Sequence, residues 1–451
     1  MVLGFIVFTF LLFVVLRIFR TRRKSGTIAF FHPYCEGGGG GERVLYQAID
    51  ALITSRDKCK FGFTHVAVYC RDTGSTDEQI LEASKRRFDI ALNTDNKDVT
   101  VEFVRLKSVG LMDPKNYPRF TLLLQCLGEL AVGCEGIFRL LPDVFIDTTG
   151  CPLTLPLFRW VGGCRVTCYV HYPTITRSMI RRVGDGVATY NNASFISRSA
   201  ILTYGKIAYY YLFSLMYWLC GLSAHVVMTN GSWTTAHISD LWPCAPYRVY
   251  PPVDVNKFPG GKVTRSRSPA AILAVGQIRP EKNHRLQIDT LKLLLDAGQN
   301  VVLIIAGGCR NADDKERVTQ LQDYAERNGV ADHIQWKLNV PLPELVELNH
   351  TSLVGIHTMI DEHFGIAVVE NMSAGLMMVA HNSAGPRQDI VENGVTGFLA
   401  TTAEEYAECI TEILKKTDAE LDQIREAATK SVQRFSGDAF NRDFIAALNK
   451  L

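Results

Sequence analysis

Two successive series of short apolar runs, each alternating with helical stretches, constrain the fold of this chain most strongly. Runs rich in β-branched and aromatic residues that alternate with amphipathic helices predict βαβ units, and therefore parallel sheets. The predicted strands of the first series are residues 27–31, 65–69, 101–106, 143–147 and 165–170. Those of the second series are residues 271–275, 301–306, 333–336, 353–357 and 377–381. The sequence therefore predicts two α/β domains of similar size.

The segment that separates the two series is rich in proline, glycine and basic residues, which is typical of an interdomain linker. We assign residues 251–270 to this linker, residues 25–250 to an N-terminal domain and residues 271–430 to a C-terminal domain. The last helix, residues 431–451, is expected to cross back to the N-terminal domain. A chain of 451 residues, of which 47% are hydrophobic, has enough material for two buried cores.

Charge and cysteine spacing exclude two classes of function. The 48 basic and 46 acidic residues leave a net charge of +2, so no overall positive field favours nucleic acid. The 12 cysteines include no Cys-x2-Cys pair, which argues against a zinc site.

The N-terminus has the pattern of a membrane anchor. Residues 1–16 are apolar except for Thr9, and a basic cluster follows them up to Lys24. A cleaved signal peptide has its positive charges before the apolar run, and a basic flank after the run stays in the cytosol. We therefore predict an uncleaved anchor within residues 1–24 and a cytosolic remainder; the alternative is a helix that lies in the interface without spanning it.

Two further stretches of the N-terminal half, residues 120–141 and 200–222, are unusually apolar. The second is dense in aromatic residues, which favour the membrane interface. Tyr209, Tyr210, Tyr211 and Trp218 are the predicted membrane contacts. The alternative is that both stretches form buried helices.

A run of five glycines, Gly37–Gly41, lies between the first predicted strand and the helix after it. Backbone N–H groups at a helix start, with no side chains in the way, suit a phosphate. The run is followed by Glu42 and Arg43, so it lacks the Gly-Lys-Ser/Thr of a Walker A loop. The alternative is a flexible loop without a ligand.

In the second half, Arg279 and Lys282 follow the strand that ends at Val275. Ligands of open α/β sheets bind beyond the carboxyl ends of strands, and two cations there suit a diphosphate leaving group without a metal. An ordinary solvated charge pair remains the alternative for these two residues taken alone.

Three acceptor groups complete the candidate set. Glu362 and Glu370 follow the strand that ends at His357, and Gly365 between them is predicted to start a helix. A carboxylate there can accept hydrogen bonds from sugar hydroxyls, while N–H groups at the helix start meet a phosphate. His171 ends a strand of the first half and is either a structural residue or a sugar contact.

The glycine run, the Arg279–Lys282 pair, the segment from Glu362 to Glu370 and His171 are four motifs. Together they resemble the retaining glycosyltransferases of the two-Rossmann-domain (GT-B) type, family four, with its Glu-x7-Glu signature. The resemblance runs from about residue 26 to the C-terminus. The strings HPYCEGGGGGERVLYQAID, YVHYPTI, GQIRPEKNH and EHFGIAVVENMSAG are most similar to the α-1,2-mannosyltransferases of the dolichol-linked oligosaccharide pathway.

The resemblance implies a role for each candidate. Glycines Gly40 and Gly41 would approach the donor phosphate and His171 the transferred sugar. Arg279 and Lys282 would hold the diphosphate, Glu362 would bind sugar hydroxyls beside the Gly365 backbone, and Glu370 would bind the ribose. The family usually has its arginine directly after the glycine, where this chain has Gln277, so Arg279 is expected to take over that role.

The fold and reaction implied are an α/β GT-B enzyme, with two Rossmann-like domains facing across a cleft and an N-terminal membrane helix. It would transfer the fourth and fifth mannoses from GDP-mannose to a dolichol-diphosphate-linked oligosaccharide, on the cytosolic face of the endoplasmic reticulum. No cofactor is expected, and the absence of an Asp-x-Asp motif fits metal independence. Other mannosyltransferases of that face are candidate partners. The alternatives are a related transferase with another donor or acceptor, and an inert membrane-tethered scaffold subunit.

Overall fold

The computed structural model describes residues 13–92, 98–176, 179, 200–257 and 265–451. The chain forms two compact units. Unit 1 comprises Met1–Asn230, Thr234–Tyr250 and Phe440–Leu451, and unit 2 comprises Gly231–Trp233 and Pro251–Ala439.

Unit 1 contains a seven-stranded parallel sheet in the order β3-β2-β1-β4-β5-β6-β7. Its strands are β1 (Lys24–Phe31), β2 (His65–Arg71), β3 (Thr100–Leu106), β4 (Pro142–Asp147), β5 (Arg165–Val170), β6 (Val226–Thr229) and β7 (Tyr247–Arg248). Its helices are α1 (13–20), α2 (Gly40–Thr54), α3 (Asp77–Phe88), α4 (Thr121–Arg139), α5 (Ala200–Gly221) and α6 (Ser232–Leu241), of which α6 begins in the segment assigned to unit 2.

Both faces of this sheet are covered by helices, and successive side chains of β1 alternate between the two resulting cores. Ile28 and Phe30 point to one core and Ala29 and Phe31 to the other. The first core includes the apolar face of α2, and the second includes residues of α4 and α5. This two-sided burial explains why β1 reads as a continuous apolar run in the sequence.

Unit 2 contains a six-stranded parallel sheet in the order β10-β9-β8-β11-β12-β13. Its strands are β8 (Ala270–Val275), β9 (Val301–Gly307), β10 (Ile334–Leu338), β11 (Val354–His357), β12 (Met377–His381) and β13 (Phe398–Ala400). Its helices are α7 (His284–Asp296), α8 (Ala312–Arg327), α9 (Leu342–Thr351), α10 (Ile366–Ser373), α11 (Ala403–Lys415) and α12 (Asp418–Ser431).

The strand orders confirm the predicted fold class, two Rossmann-like α/β units with parallel sheets. Counted from its own first strand, each sheet contains the order 3-2-1-4-5-6 of the doubly wound fold. In this order the connections reverse direction between the first and fourth strands, which leaves a crevice at their carboxyl ends. The crevices therefore lie beyond β1 and β4 in unit 1, and beyond β8 and β11 in unit 2.

The chain ends in unit 1. Helix α13 (Gly437–Leu448) places Phe440 and Phe444 in the same core as Phe30 of β1. The rings of Phe440 and Phe444 stack with centroids 5.6 Å apart, and both side chains are almost fully buried. The C-terminal segment is thus part of the hydrophobic core of unit 1.

The apolar helices of unit 1 have one buried and one exposed face. Among the described residues, α4 is the helix long and apolar enough to cross a membrane by length and composition, yet Cys126, Val132 and Ile137 are buried. In α5 the buried face carries Tyr210, Phe213, Tyr217 and Cys220. The exposed large side chains of this segment are Tyr204, Tyr211, Leu212, Leu215, Trp218, Leu219 and Leu222.

The membrane-contact prediction was therefore wrong for Tyr210, which is 5% exposed because it lies on the core-facing side of α5. Tyr209 packs against α4, where its hydroxyl accepts a hydrogen bond from the Leu123 N–H at 3.0 Å. Tyr211 and Trp218 are exposed, and for them membrane contact stays a prediction. The first 12 residues of the predicted anchor lie outside the described residues, and α1 follows them.

Candidate functional site

In unit 2, the predicted site residues Lys282 and Glu362 come together beyond the carboxyl ends of β8 and β11. Lys282 ends a 3-10 turn, Pro280–Lys282, that follows β8. Glu362 lies in the loop between β11 and α10, five residues after His357 ends the strand. Their position coincides with the crevice that the strand order creates.

Lys282 and His357 both contact the same carboxylate oxygen of Glu362. Lys282 Nζ donates to Glu362 Oε2 at 2.6 Å, and His357 Nε2 lies 3.1 Å from the same oxygen. Burial alone would raise the pKa of Glu362, but the hydrogen bond from His357 and the charge of Lys282 outweigh it. The pKa of Glu362 is consequently held well below its usual value, and the carboxylate stays ionised at neutral pH.

The second carboxylate oxygen, Oε1, makes no hydrogen bond within the described part of the chain, and the Glu362 side chain is 15% exposed. An ionised carboxylate with one oxygen fixed and the other unoccupied can accept hydrogen bonds from ligand hydroxyls. The arrangement is therefore suited to a polyhydroxylated ligand.

The backbone around this pair is held by buried hydrogen bonds. Thr358 Oγ1 donates to the carbonyl of Lys282 at 2.8 Å and accepts from Gln287 Nε2 at 2.9 Å. The hydroxyl of Tyr406 donates to the carbonyl of His357 at 2.7 Å. Because Thr358 links the loops after β8 and β11, and Tyr406 fixes the end of β11, the pair is positioned before any ligand binds.

Gly365 precedes the first residue of α10 with a φ of +113°, a conformation that L side chains rarely adopt. The glycine lets the chain turn from the Glu362 loop into the helix, whose first N–H groups have no partner within the helix, as at any helix start. Glu370 lies on α10, one turn beyond this start. The structure therefore places both residues at the same end of the sheet as Glu362.

Arg279 is not brought to the Lys282–Glu362 pair. Its side chain is half exposed and contacts Glu281 at 4.0 Å, and it lines a separate cavity beside α7 and α8. Gln277, at the position of the family arginine, has its side chain near Gly308. The assignment of Arg279 to the donor diphosphate gains no support from this geometry.

In unit 1, the other predicted residues gather beyond β1, β4 and β5. His171, just after β5, places Nε2 3.1 Å from the carbonyl of Thr148, which follows β4. His32, just after β1, places Nδ1 2.8 Å from the hydroxyl of the same threonine. A Cβ atom on Gly41 would lie 3.6 Å from His171 Nε2 and 3.8 Å from His32 Cε1.

The glycine run lies between β1 and α2, as predicted, and its last two residues belong to the helix. Helix α2 begins at Gly40, and the side chain of Glu42 folds back so that Oε2 accepts from the Gly39 N–H at 2.6 Å. Burial acts to raise the pKa of Glu42, but hydrogen bonding and charge from His32 outweigh it and lower the pKa. The result is a helix start without side chains at Gly40 and Gly41, beside two histidines.

Four polar residues of these sets were missed at the sequence level: His32, Glu42, His357 and Thr358. His32 and His357 each lie at or just after the end of an apolar strand, where site residues concentrate. Glu42 follows Gly39 by three residues, the spacing of a side chain that caps its own helix. Thr358 has no sequence signal of this kind, because its role depends on a contact with Lys282, 76 residues away.

Comparison with known protein families gives two matches along the chain. Residues 25–242 match the family described as ALG11 mannosyltransferase N-terminus, and residues 262–431 match glycosyl transferases group 1. These two ranges contain all the site residues described above.

Curated relatives are similar over almost the whole chain. A Homo sapiens protein named GDP-Man:Man(3)GlcNAc(2)-PP-Dol alpha-1,2-mannosyltransferase is 44% identical over 441 residues, covering 95% of this chain and 88% of the relative. The protein of the same name from Caenorhabditis elegans is 43% identical, covering 95% of this chain and 92% of the relative.

Solved structures share the fold at low sequence identity. Anabaena Alr3699/HepE, solved with UDP and glucose, has 16% identity and a TM-score of 0.62, covering 94% of this chain and 100% of that chain. Sucrose-phosphate synthase from Thermosynechococcus elongatus has 15% identity and a TM-score of 0.65, with 93% and 97% coverage. At such identities the likeness extends to the fold alone. The relatives and the family match together show that this chain belongs to the ALG11 mannosyltransferase family.

Proposed function

We propose that this protein is a retaining α-1,2-mannosyltransferase that transfers mannose from GDP-mannose to dolichol-diphosphate-linked Man3GlcNAc2 and then Man4GlcNAc2. These steps add the fourth and fifth mannoses of the lipid-linked oligosaccharide used in protein N-glycosylation. The observation that carries the proposal is the similarity over 95% of the chain to relatives of that name. The ionised Glu362 beside Lys282 supports it.

The donor binds mainly on unit 2 in this proposal. Lys282 balances the negative charge of the diphosphate, and Glu362 accepts hydrogen bonds from mannose hydroxyls through its unoccupied oxygen. Glu370 binds the ribose, and the N–H groups that follow Gly365 meet a phosphate. On unit 1, Gly40 and Gly41 would approach a phosphate and His171 would contact a sugar.

Transfer with retention proceeds by attack of the acceptor hydroxyl on the same face that the leaving group departs from. The departing phosphate oxygen takes the proton of that hydroxyl, so no second carboxylate is needed as a nucleophile, unlike in retaining hydrolases. Lys282 stabilises the charge that develops on the diphosphate, which is electrostatic catalysis of the kind a metal supplies elsewhere. We therefore expect transfer without a metal cofactor.

The acceptor lipid stays in the bilayer, and the exposed apolar surface of unit 1 supports membrane association. Helix α1 packs on unit 1 through Phe19 and Phe138, whose ring centroids are 5.5 Å apart. Arg23 pairs with Asp143 at 3.1 Å and fixes the basic flank to the same unit. The exposed aromatic and aliphatic side chains of α5, among them Tyr211 and Trp218, are typical of a contact surface. We propose that this surface contacts the cytosolic face of the endoplasmic reticulum membrane.

The test is transfer of labelled mannose from GDP-mannose to a lipid-linked Man3GlcNAc2 acceptor in the presence of EDTA. Two successive additions, removed by an α-1,2-mannosidase, are the expected result. They would support donor, acceptor, linkage and metal independence together.

Three other outcomes would each contradict a different part of the proposal. Activity that EDTA abolishes and a divalent cation restores would overturn metal independence. Transfer from UDP-N-acetylglucosamine instead of GDP-mannose would indicate a related transferase with another donor. A folded protein that binds GDP-mannose but transfers nothing, while Glu362→Ala keeps its biological role, would indicate a scaffold.

A further inference from the structure

A cavity on unit 2 lies between the start of α7 and the middle of α8, with a volume of about 180 Å³. Three arginines line it: Arg279 from the turn after β8, Arg285 from α7 and Arg317 from α8. Neither Lys282 nor Glu362 is among the lining residues. The cavity is therefore separate from the group assigned to the donor.

The three guanidinium groups have little charge compensation. Among the described residues, Arg279 has Glu281, at 4.0 Å, as its ion-pair partner. Arg285 lies over the ring of Tyr324, 5.2 Å from its centroid, and neither Arg285 nor Arg317 makes a side-chain hydrogen bond or ion pair to any residue that the structure describes. Three cations that line one concave surface, two of them without an ion-pair partner in the described residues, favour an anion there.

Two nearby carboxylates keep their negative charges and therefore reduce this potential, but neither forms an ion pair with an arginine of the cavity within the part of the chain that the structure describes. Tyr324 donates its hydroxyl hydrogen bond to Asp289 at 2.7 Å, and Gln320 donates to Glu316 at 3.1 Å. His284 in the cavity wall is 4% exposed. Burial, with the charges of Lys282 and Arg317, lowers the pKa of His284, so that it is neutral at pH 7.

The size of the cavity limits its ligand. Pockets for drug-sized molecules usually measure about 300–1,000 Å³, so this one suits a group much smaller than a nucleotide. Guanidinium groups form paired hydrogen bonds with phosphate oxygens, for which their planar shape is well suited. We propose that this cavity is a second anion site, which binds a phosphate or diphosphate group through Arg279, Arg285 and Arg317.

The ligand group has two possible sources, a free phosphate compound or the head group of a phospholipid. Binding of inorganic diphosphate and of water-soluble dihexanoyl phosphatidic acid to the full chain, measured by calorimetry, distinguishes them. Diphosphate alone indicates a free anion, and binding of both indicates that a head group also fits. Binding of neither probe would overturn the proposal.

Variants assign the binding to this cavity. Arg317→Ala and Arg285→Ala should each weaken binding at least about tenfold, because each removes a charge-assisted contact. Arg327→Ala, on the exposed C-terminal end of the same helix α8, is the matched control and should bind like the unaltered chain. Equal binding by all three variants would place the anion elsewhere and overturn the assignment.

This site is proposed independently of the transfer reaction, so its test does not require activity. Arg285 is exposed, and its replacement should leave the fold intact even if that of the half-buried Arg317 does not. Circular dichroism of each variant checks this before binding is measured.

Discussion

Glu362 is the central residue of the candidate site in unit 2. Its Oε2 atom is shared by Lys282 and His357, and its Oε1 atom is available to a ligand. A buried carboxylate costs free energy unless it is paired, so its retention with two partners fits a residue kept for binding. Lys282 and His357 keep the carboxylate of Glu362 ionised and fix its orientation.

Replacement of Glu362 by Gln should lower mannose transfer strongly. The amide of glutamine preserves the side-chain volume. It loses the negative charge that holds Lys282 and strengthens the hydrogen bonds accepted from ligand hydroxyls. Loss of one such electrostatic contact typically lowers kcat by about 10²-fold or more. The measurement is steady-state transfer from GDP-mannose, with Glu347→Gln on an exposed face of α9 as control. Equal rates in the two variants would exclude Glu362 from the reaction.

The same carboxylate predicts a pH dependence of stability. The pKa of Glu362 is lower in the folded protein than in the unfolded chain, where it is about 4.3. Its contribution is therefore fully present above that pH and is lost as the pH falls through the folded value. Glu362→Gln should destabilise unit 2 by roughly 2 kcal/mol at pH 7, and the difference from the unaltered protein should shrink below about pH 4.

Thermal or denaturant unfolding of both proteins between pH 7 and 3 measures this difference. A destabilisation that stays constant across that range would show that the ion pair does not contribute through the charge of Glu362.

At the scale of single elements, the long apolar runs were readable from the sequence and the short ones were not. Each of the ten predicted strands is present, with ends shifted by up to three residues. Strands β7 and β13 were missed because they span two and three residues, too few for a periodic pattern. Strand β6 was also missed, although its four residues equal the length of β11, which was predicted. Their pairing depends on neighbours that only the folded sheet supplies.

In the candidate site, too, one part was predictable from the sequence and another part was not. Lys282 and Glu362 were predicted from their positions after strand ends, although 80 residues separate them. The different direction of Arg279 was not readable, because the turn Pro280–Lys282 sends two side chains only three residues apart to different places. Turn geometry of this kind is not encoded in residue type alone.

Gly41 tests the start of α2 as an element. A Cβ atom there would make ordinary contacts with His171 and His32, so Gly41→Ala should fold and should gain helix stability of up to about 1 kcal/mol. The methyl group would nevertheless occupy the room beside the two histidines. We expect at least about a tenfold loss of transfer with an unchanged or higher Tm.

The control is Gly205→Ala in α5, because in the described part of the chain no atom outside that helix's own backbone lies within 4 Å of a Cβ at that position. It receives the same helix-favouring change away from the histidines and should keep its activity. Full activity of Gly41→Ala would show that the glycines at this helix start are not needed for ligand approach.

At the scale of the whole molecule, the last helix joins the two ends of the chain in one core. Phe444 is fully buried in unit 1, with its ring centroid 6.5 Å from that of Phe30 on β1 and 5.6 Å from that of Phe440. Unit 1 is therefore complete only when the C-terminal segment has been made and has packed. Residues that follow unit 2 in the chain stabilise the unit that precedes it.

Phe444→Ala should accordingly destabilise unit 1 by about 3–5 kcal/mol, the usual cost of deleting a buried phenylalanine ring. Hydrogen exchange resolved along the chain measures it, because the unfolding of a protein with two units is not described by a single free energy. Amides of β1 and α2 should exchange faster, whereas those of β8 and β11 in unit 2 should be unchanged. Faster exchange in unit 2 alone would contradict the packing of α13 on unit 1, since the helix that carries Phe444 would then stabilise the unit it directly follows.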